Sequence, residues 1–176
     1  MSVHNGAAFV GDALAGLRDQ TFEDYELIVI DDASTDATPS LLAEAATSDP
    51  RIRILTNERH RLLVHSLNRG LAEARGRYIA RQDADDISLP HRLELQVEVL
   101  EQNPRLVAVS GRFHRLEGGW LHPAENIAVH RGPSELMPWH MTLAYSAQHS
   151  ISLFRRGVVG AYDESRLHAE DYDFWA

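Results

Sequence analysis

Short apolar runs alternate with amphipathic segments along this chain of 176 residues. A continuous apolar run that ends in charged residues is typical of a strand buried on both faces. Apolar positions three or four residues apart, bounded by proline or glycine, predict helices instead. The predicted strands lie at 26–30, 52–55, 78–81, 106–109 and 149–154, and the predicted helices at 7–20, 39–47, 66–74 and 91–103.

This alternation predicts an α/β fold in which a mostly parallel sheet is flanked by helices. Asn5 is the expected N-cap of the first helix, because its side chain can accept from the first free backbone amides. Between residues 111 and 145 the pattern weakens, and glycine and proline predict loops there. A last helix is expected to begin near residue 170.

Composition excludes several classes of function. The length and the 44% content of hydrophobic residues are typical of one globular domain. The net charge of −9 argues against a nucleic-acid partner, because binding to the phosphate backbone needs a basic surface. The chain has no Cys, and all 17 basic residues are Arg, which excludes thiol nucleophiles, cysteine zinc sites and Schiff bases on lysine. No stretch resembles a membrane span or a signal peptide, so we expect a cytoplasmic protein.

Two acidic clusters follow predicted strands at the point where each strand ends. Asp31 and Asp32 come after the run at 26–30, and Asp83 and Asp85 follow the strand at 78–81. In a doubly wound sheet, ligands bind in the crevice outside the carboxyl ends of the strands. Carboxylates gathered at one edge repel one another, and a hard cation such as Mg²⁺ or Mn²⁺, completed by diphosphate oxygens and water, relieves that repulsion.

The Asp-x-Asp spacing is a weak signal by itself. With 13 Asp in the chain, chance gives about one such triplet, and the sequence has two. The position directly after an apolar strand favours a function, because a structural loop does not need so much negative charge. Phosphatases of the haloacid dehalogenase type need an Asp where Ala33 stands, and receiver domains need a late Lys that is missing here.

Several motifs also occur in a fixed order along the chain. They are N-G at 5–6, Q-T-F at 20–22, Y-E-L-I-V-I-D-D-A-S-T-D at 25–36, N-R-G-L-A at 68–72, A-R-G at 74–76, Y-I-A-R at 78–81, D-A-D-D at 83–86, P-x-R at 90–92, Y-D-E at 162–164 and E-D-Y-D at 170–173. Together they strongly resemble the family 2 glycosyltransferases, whose nucleotide-sugar domain has the GT-A fold. The resemblance runs nearly end to end, and several ordered motifs are more specific than any one of them.

The resemblance implies a role for each acidic group. The residues that it places at the nucleotide sugar are Asp31, Asp32, Ser34 and Asp83, with Asp32 at the base or ribose. It also implies that Asp83 and Asp85 bind Mn²⁺ or Mg²⁺ on the diphosphate and that Asp171 is the general base. In the inverting reaction of this family, the base removes a proton from an acceptor hydroxyl as that oxygen attacks the anomeric carbon.

The resemblance implies partners and a location as well. The donor is a nucleotide sugar, most plausibly a UDP-sugar, and the acceptor is a glycan or a lipid-linked sugar of surface-glycan assembly. Such an enzyme works at the cytoplasmic membrane face, associated peripherally and without spanning the membrane.

The sequence departs from the family pattern at three places. Only residues 3–6 correspond to the family's buried first strand, and the chain ends just after the implied base, so we expect residues 1–176 to be a single domain that is incomplete at both ends. Leu62 stands where relatives commonly have Gly, and His4 where they commonly have Tyr. A missing central strand predicts aggregation, low thermal stability or a homodimer formed through an open sheet edge. The alternative function is a non-catalytic remnant that binds nucleotide weakly or serves as an interaction module.

Overall fold

A computed structural model of the chain describes residues 1–111, 114–117, 120–123, 149–158 and 160–165. The elements within these ranges are β1 (Ser2–Val3), α1 (Val10–Arg18), β2 (Leu27–Asp31), α2 (Thr38–Ser48), β3 (Ile52–Thr56), α3 (Leu62–Glu73), β4 (Tyr78–Ala80), α4 (Arg92–Gln102), β5 (Ala108–Val109), β6 (His114–Glu117), β7 (Trp120–Pro123) and β8 (Leu153–Arg155), with 3-10 turns at His149–Ile151 and Arg156–Val158. Of the helices in this part of the chain, none is both long and apolar enough to cross a bilayer.

The central strands are parallel, as the sequence predicts. β2 pairs with β1 on one side and with β3 on the other, with Ser2 opposite Ile30 and Leu27 opposite Ile52. A parallel bridge between Ser2 and Asp83 places the end of β4 on the free side of β1. β8 lies between β4 and β5 and runs antiparallel to both. β1 therefore lies in the middle of the sheet, between β2 and the end of β4.

Burial explains why β2 is an uninterrupted apolar run. All five of its residues are buried. α3 packs against β2, and the core beside β2 joins Val10 and Leu14 of α1 to Val29 and to Leu42 of α2. A strand with helices on its faces has no solvent side, so polar residues appear only where it ends, at Asp31.

β1 is a short strand. It contains two residues, and the Met1 ammonium group donates to the Ile28 carbonyl at 2.9 Å. Burial, followed by the charge of Arg81, lowers the pKa of the Met1 amino group to about 5. A cavity of about 780 Å³ beside Met1 and Ile28 extends to β4.

Three local predictions need correction. The first helix begins at Val10, and the residue before it is Phe9, so Asn5 is not its N-cap. α3 begins four residues earlier than the predicted helix at 66–74. The antiparallel hairpin of β6 and β7 lies in the region predicted as loops. The cause at α1 is tertiary, because the Asn5 side chain accepts from the backbone amide of Thr35 (2.8 Å) in another loop.

Strained backbone is concentrated beyond the ends of the three parallel strands. In the described ranges, the non-glycine residues with positive φ are Asn5 at 50°, Ala33 at 58° and Leu62 at 68°. Asn5 and Ala33 lie in the loops after β1 and β2, and Leu62 is the first residue of α3, which follows the loop after β3. Left-handed backbone costs an L-residue on the order of 1 kcal/mol and persists only where the surroundings enforce it. Such residues cluster at functional sites, so this edge of the sheet is where a ligand is expected.

The strain at Leu62 predicts that a glycine variant is more stable than an alanine variant at this position, which is the reverse of the usual order in a helix. Leu62→Gly should have a free energy of unfolding about 1 kcal/mol higher than Leu62→Ala, because alanine keeps the Cβ that is strained at this φ. At Leu63, the next exposed residue of α3, the order should be the usual one for helices, with alanine about 1 kcal/mol better than glycine. Urea denaturation of the four variants measures both differences, and the same order at both positions would contradict the left-handed backbone at Leu62.

Candidate active site

The structure brings the two acidic clusters to either side of β1. Asp32 follows β2, and its backbone amide donates to the Val3 carbonyl at 2.8 Å. Asp83 follows β4 and forms the parallel bridge with Ser2. Both clusters therefore flank the carboxyl end of one strand, where ligands of open α/β sheets bind.

Asp32 is held by hydrogen bonds on nearly every side. Its side chain is 2% exposed, the Asn57 amide donates to Oδ1 at 2.6 Å, and the Arg61 backbone amide donates to Oδ1 at 2.9 Å. His60 Nδ1 lies 2.8 Å from Oδ2. Burial raises the pKa of Asp32, but these hydrogen bonds and the charge of His60 outweigh burial and hold the pKa below its ordinary value. The carboxylate is therefore ionised although it is buried.

A chain of side chains from α3 orients Asn57. The Asn57 amide also donates to Ser66 Oγ at 3.0 Å, and Arg69 donates to Asn57 Oδ1 at 2.6 Å and to the Thr56 carbonyl at 2.8 Å. Asn57 is 6% exposed and Ser66 is fully buried. The sequence analysis missed this support for Asp32. Arg69 lies within the N-R-G-L-A motif, and that motif was the sequence feature that could have pointed to this support.

Asp31 and Ser34 stabilise the loops around the site. The Ser34 backbone amide donates to Asp31 Oδ1 at 3.0 Å, while the Ser34 hydroxyl accepts from the Asn5 backbone amide at 2.9 Å. The Gly6 amide donates to the Thr38 hydroxyl at 2.9 Å. These bonds join the loop after β1 to the loop after β2. Direct contacts of Asp31 and Ser34 with a nucleotide stay a prediction.

Asp83 and Asp85 border a cleft beside the end of β1. The cleft has a volume of about 260 Å³ and is lined by Ser2, Val3, His4, Asn5, Gly6, Phe9, Asp83, Ala84 and Asp85. Arg81 Nη2 lies 2.5 Å from Asp83 Oδ1, and the Arg81 side chain is 7% exposed. Asp83 thus already has a cationic partner from the protein.

Arg92 fixes the backbone of the acidic loop. It donates to the Arg81 carbonyl at 2.6 Å, to Gln82 Oε1 at 2.7 Å and to Ser88 Oγ at 2.9 Å. Gln82 in turn donates to the carbonyls of Asp83 and Asp86. Burial lowers the pKa of Arg92 to about 10, so it is charged at neutral pH. The P-x-R motif therefore acts from α4 by holding the Asp-x-Asp loop in place.

The acidic loop offers two carboxylates to a cation. In the described residues, no group of three or more possible His, Cys, Asp or Glu ligands occurs together. Asp83 and Asp85 offer hard carboxylate oxygens on one cleft, which suits Mg²⁺ or Mn²⁺ only if further oxygens come from a ligand such as a diphosphate. Burial, together with the charges of Asp83 and Asp85, raises the pKa of Asp86. This crowding of negative charge is what a bound cation would relieve.

The predicted base lies beyond the part of the site that the structure describes. Asp171 and its neighbours Glu170 and Asp173 fall outside the described residues. The segment before them is anchored to α3, because the Asn68 amide donates to the Tyr162 carbonyl at 2.9 Å and the Tyr162 amide donates back to Asn68 Oδ1 at 2.8 Å. The Tyr162 ring is buried, and its hydroxyl contacts His149 Nε2.

Known structures share this architecture. The chain overlaps with Staphylococcus aureus TarS 1–349 in complex with UDP at a TM-score of 0.77 and 17% identity, covering 99% of this chain and 52% of TarS 1–349. It overlaps with the mannosyltransferase PcManGT from Pyrobaculum calidifontis, in complex with GDP-Man and Mn²⁺, at a TM-score of 0.73 and 22% identity, covering 97% of this chain and 48% of PcManGT. These overlaps confirm the predicted GT-A-like α/β fold.

Curated relatives are similar along nearly the whole chain. An uncharacterized glycosyltransferase of Haemophilus influenzae is 32% identical, covering 98% of this chain and 57% of its own length. The succinoglycan biosynthesis protein ExoO of Rhizobium meliloti is 34% identical, covering 98% of this chain and 52% of its own length. The Escherichia coli glucosyltransferase WfgD is 35% identical over 58% of this chain and 40% of its own length. The chain thus spans about half the length of these relatives.

The sequence pattern of the family described as "Glycosyl transferase family 2" matches residues 1–162. That range contains β1 and both acidic clusters of the candidate site. With this match and with relatives above 30% identity along nearly all of its residues, the chain belongs to glycosyl transferase family 2.

Proposed function

We propose that residues 1–176 form one nucleotide-sugar-binding domain of a metal-dependent, inverting glycosyltransferase. The observation that carries this proposal is the position of β1, whose backbone contacts Asp32 on one side and Asp83 on the other. A nucleotide sugar has a base and a diphosphate, and the two acidic clusters give each part its own recognition group at one sheet edge.

Each recognition group suits one part of the donor. Asp32 would accept a hydrogen bond from the base or ribose, and Asp83 and Asp85 would hold Mn²⁺ or Mg²⁺ on the diphosphate. When bound, the metal neutralises charge on the departing nucleoside diphosphate. TarS is described with UDP and PcManGT with GDP-Man and Mn²⁺, which supports a nucleotide donor and a divalent cation for this chain. A UDP-sugar is the donor we favour.

The acceptor proposal rests on a relative. WfgD is named as a glucosyltransferase that uses UDP-Glc and acts on GlcNAc linked to diphosphoundecaprenol. A glycan or lipid-linked acceptor of that kind would bring this protein to the cytoplasmic face of a membrane as a peripheral protein.

We also propose pairing of two chains through an open sheet edge. Asp171 would remove the proton of the acceptor hydroxyl, a step that needs a carboxylate across the site from Asp85.

Metal-linked UDP binding tests the assignment of the acidic loop. In calorimetry with Mn²⁺, Asp85→Ala should weaken UDP binding by about tenfold or more, because the cation loses a carboxylate ligand. Asp12→Ala, which removes an exposed acid from α1, is the matched control and should bind UDP like the unchanged chain. Equal UDP affinity with Mn²⁺ and with a chelator would contradict the metal assignment.

A transfer assay tests the assignment of the base. Asp171→Asn should reduce sugar transfer by on the order of 10² to 10⁴-fold and leave Mn²⁺-dependent UDP binding nearly unchanged, because the base acts in the transition state. Transfer that survives the substitution would move the role of base to Glu170 or Asp173. Mn²⁺-dependent UDP binding without transfer from any of a broad panel of donors would favour the non-catalytic alternative.

A further inference from the structure

The Asp32 carboxylate is covered at both of its oxygens. The Asn57 side chain and the Arg61 backbone amide donate to Oδ1, and His60 Nδ1 lies 2.8 Å from Oδ2. The Leu62 backbone amide also bonds to the carboxylate. Because the Asp32 side chain is only 2% exposed, these groups leave no open approach to it. Any ligand that donates a hydrogen bond to Asp32 must replace one of them.

His60 is the neighbour of Asp32 that can leave. Asn57 is 6% exposed and is held from α3 by Ser66 and Arg69. The Arg61 and Leu62 donors are backbone amides at the start of α3, and they cannot move without unwinding the helix. The His60 side chain is 46% exposed, so it can rotate into solvent at the cost of its contacts with Oδ2 and with the His4 ring.

The His60 imidazole has the two contacts that a bound nucleobase would have. Its ring centroid lies 4.0 Å from that of His4, at an interplanar angle of 34°. His4 is fixed, because its Nδ1 donates to the Asp32 carbonyl at 2.7 Å and its Nε2 accepts from the Asn5 side-chain amide at 3.2 Å. His60 is thus a planar heterocycle that stacks on a fixed ring and faces a carboxylate with a ring nitrogen. Nucleobases commonly stack on flat side chains in complexes with single-stranded nucleic acids.

We infer that His60 occupies the nucleobase position and that a nucleotide binds Asp32 by displacing it. This inference rests on the proposed function, in which Asp32 contacts the donor base. It also favours a base with a ring N–H on its pairing edge, because such a group can donate to the ionised carboxylate in the place that the imidazole leaves. Uracil and guanine have such a group on their pairing edge, whereas cytosine and adenine have a bare ring nitrogen there that would repel the carboxylate.

The direction in which one substitution changes UDP affinity tests the inference. In calorimetry with Mn²⁺ and UDP, His60→Ala should bind UDP about tenfold more tightly than the unchanged chain, because the internal competitor is gone. His91→Ala, which removes an exposed histidine at the start of α4, should leave UDP affinity unchanged. CDP should bind more weakly than UDP to both the unchanged chain and His60→Ala.

A second variant separates this inference from the proposed function. Asp32→Asn should lose UDP affinity if Asp32 contacts the base, and full affinity in Asp32→Asn would overturn the base assignment itself. If Asp32→Asn loses affinity while His60→Ala binds UDP equally or more weakly, only the displacement of His60 is overturned. Nitrogen NMR of the unchanged chain gives an independent readout. The His60 ring signals should shift to those of a solvent-exposed imidazole at saturating UDP, and unshifted signals would contradict displacement.

Discussion

The candidate site depends on the backbone contacts of a strand of two residues. β1 accepts the Asp32 amide at the Val3 carbonyl and bridges to Asp83 at Ser2, so one short segment fixes the separation of the two acidic clusters. The loop that follows β1 is in turn tied to the β2 loop through Ser34 and Thr38. The positive φ values of Asn5, Ala33 and Leu62 show that the connections after all three parallel strands contain strained backbone at this edge. The edge is therefore preorganised, which lowers the entropy cost of binding a ligand there.

Side chains of the protein itself contact an acid in each of the two acidic clusters. His60 contacts Asp32, and Arg81 contacts Asp83 at 2.5 Å. A buried carboxylate is costly without a partner, so these contacts allow the fold to keep acids at the edge of its core. Under the proposed function, the base of the nucleotide sugar would displace His60 from Asp32. The cation would share Asp83 with Arg81. The chain has no lysine, and the two contacts come from histidine and arginine.

The sequence predicted features that depend on local pattern. The run at 26–30 became β2 because a strand covered on both faces must be apolar throughout, and the acids directly after it lie at the sheet edge as expected. Features that depend on distant partners were missed. Asn57 supports Asp32 across 25 residues, and Arg92 holds the loop of Arg81 from a separate helix. The hairpin of β6 and β7 was missed because the two glycines between its strands are typical of any loop.

Paramagnetic broadening by Mn²⁺ measures the central claim most directly, because its effect falls off steeply with distance from the ion. With UDP and Mn²⁺ bound, the backbone amide signals of residues 2–5 and 83–85 should broaden together, since β1 and the acidic loop border the same cleft. The amide signals at the end of α4, at Glu101 and Gln102, should stay sharp. Broadening of the acidic loop without residues 2–5, or broadening elsewhere in the chain, would contradict a donor site built around β1.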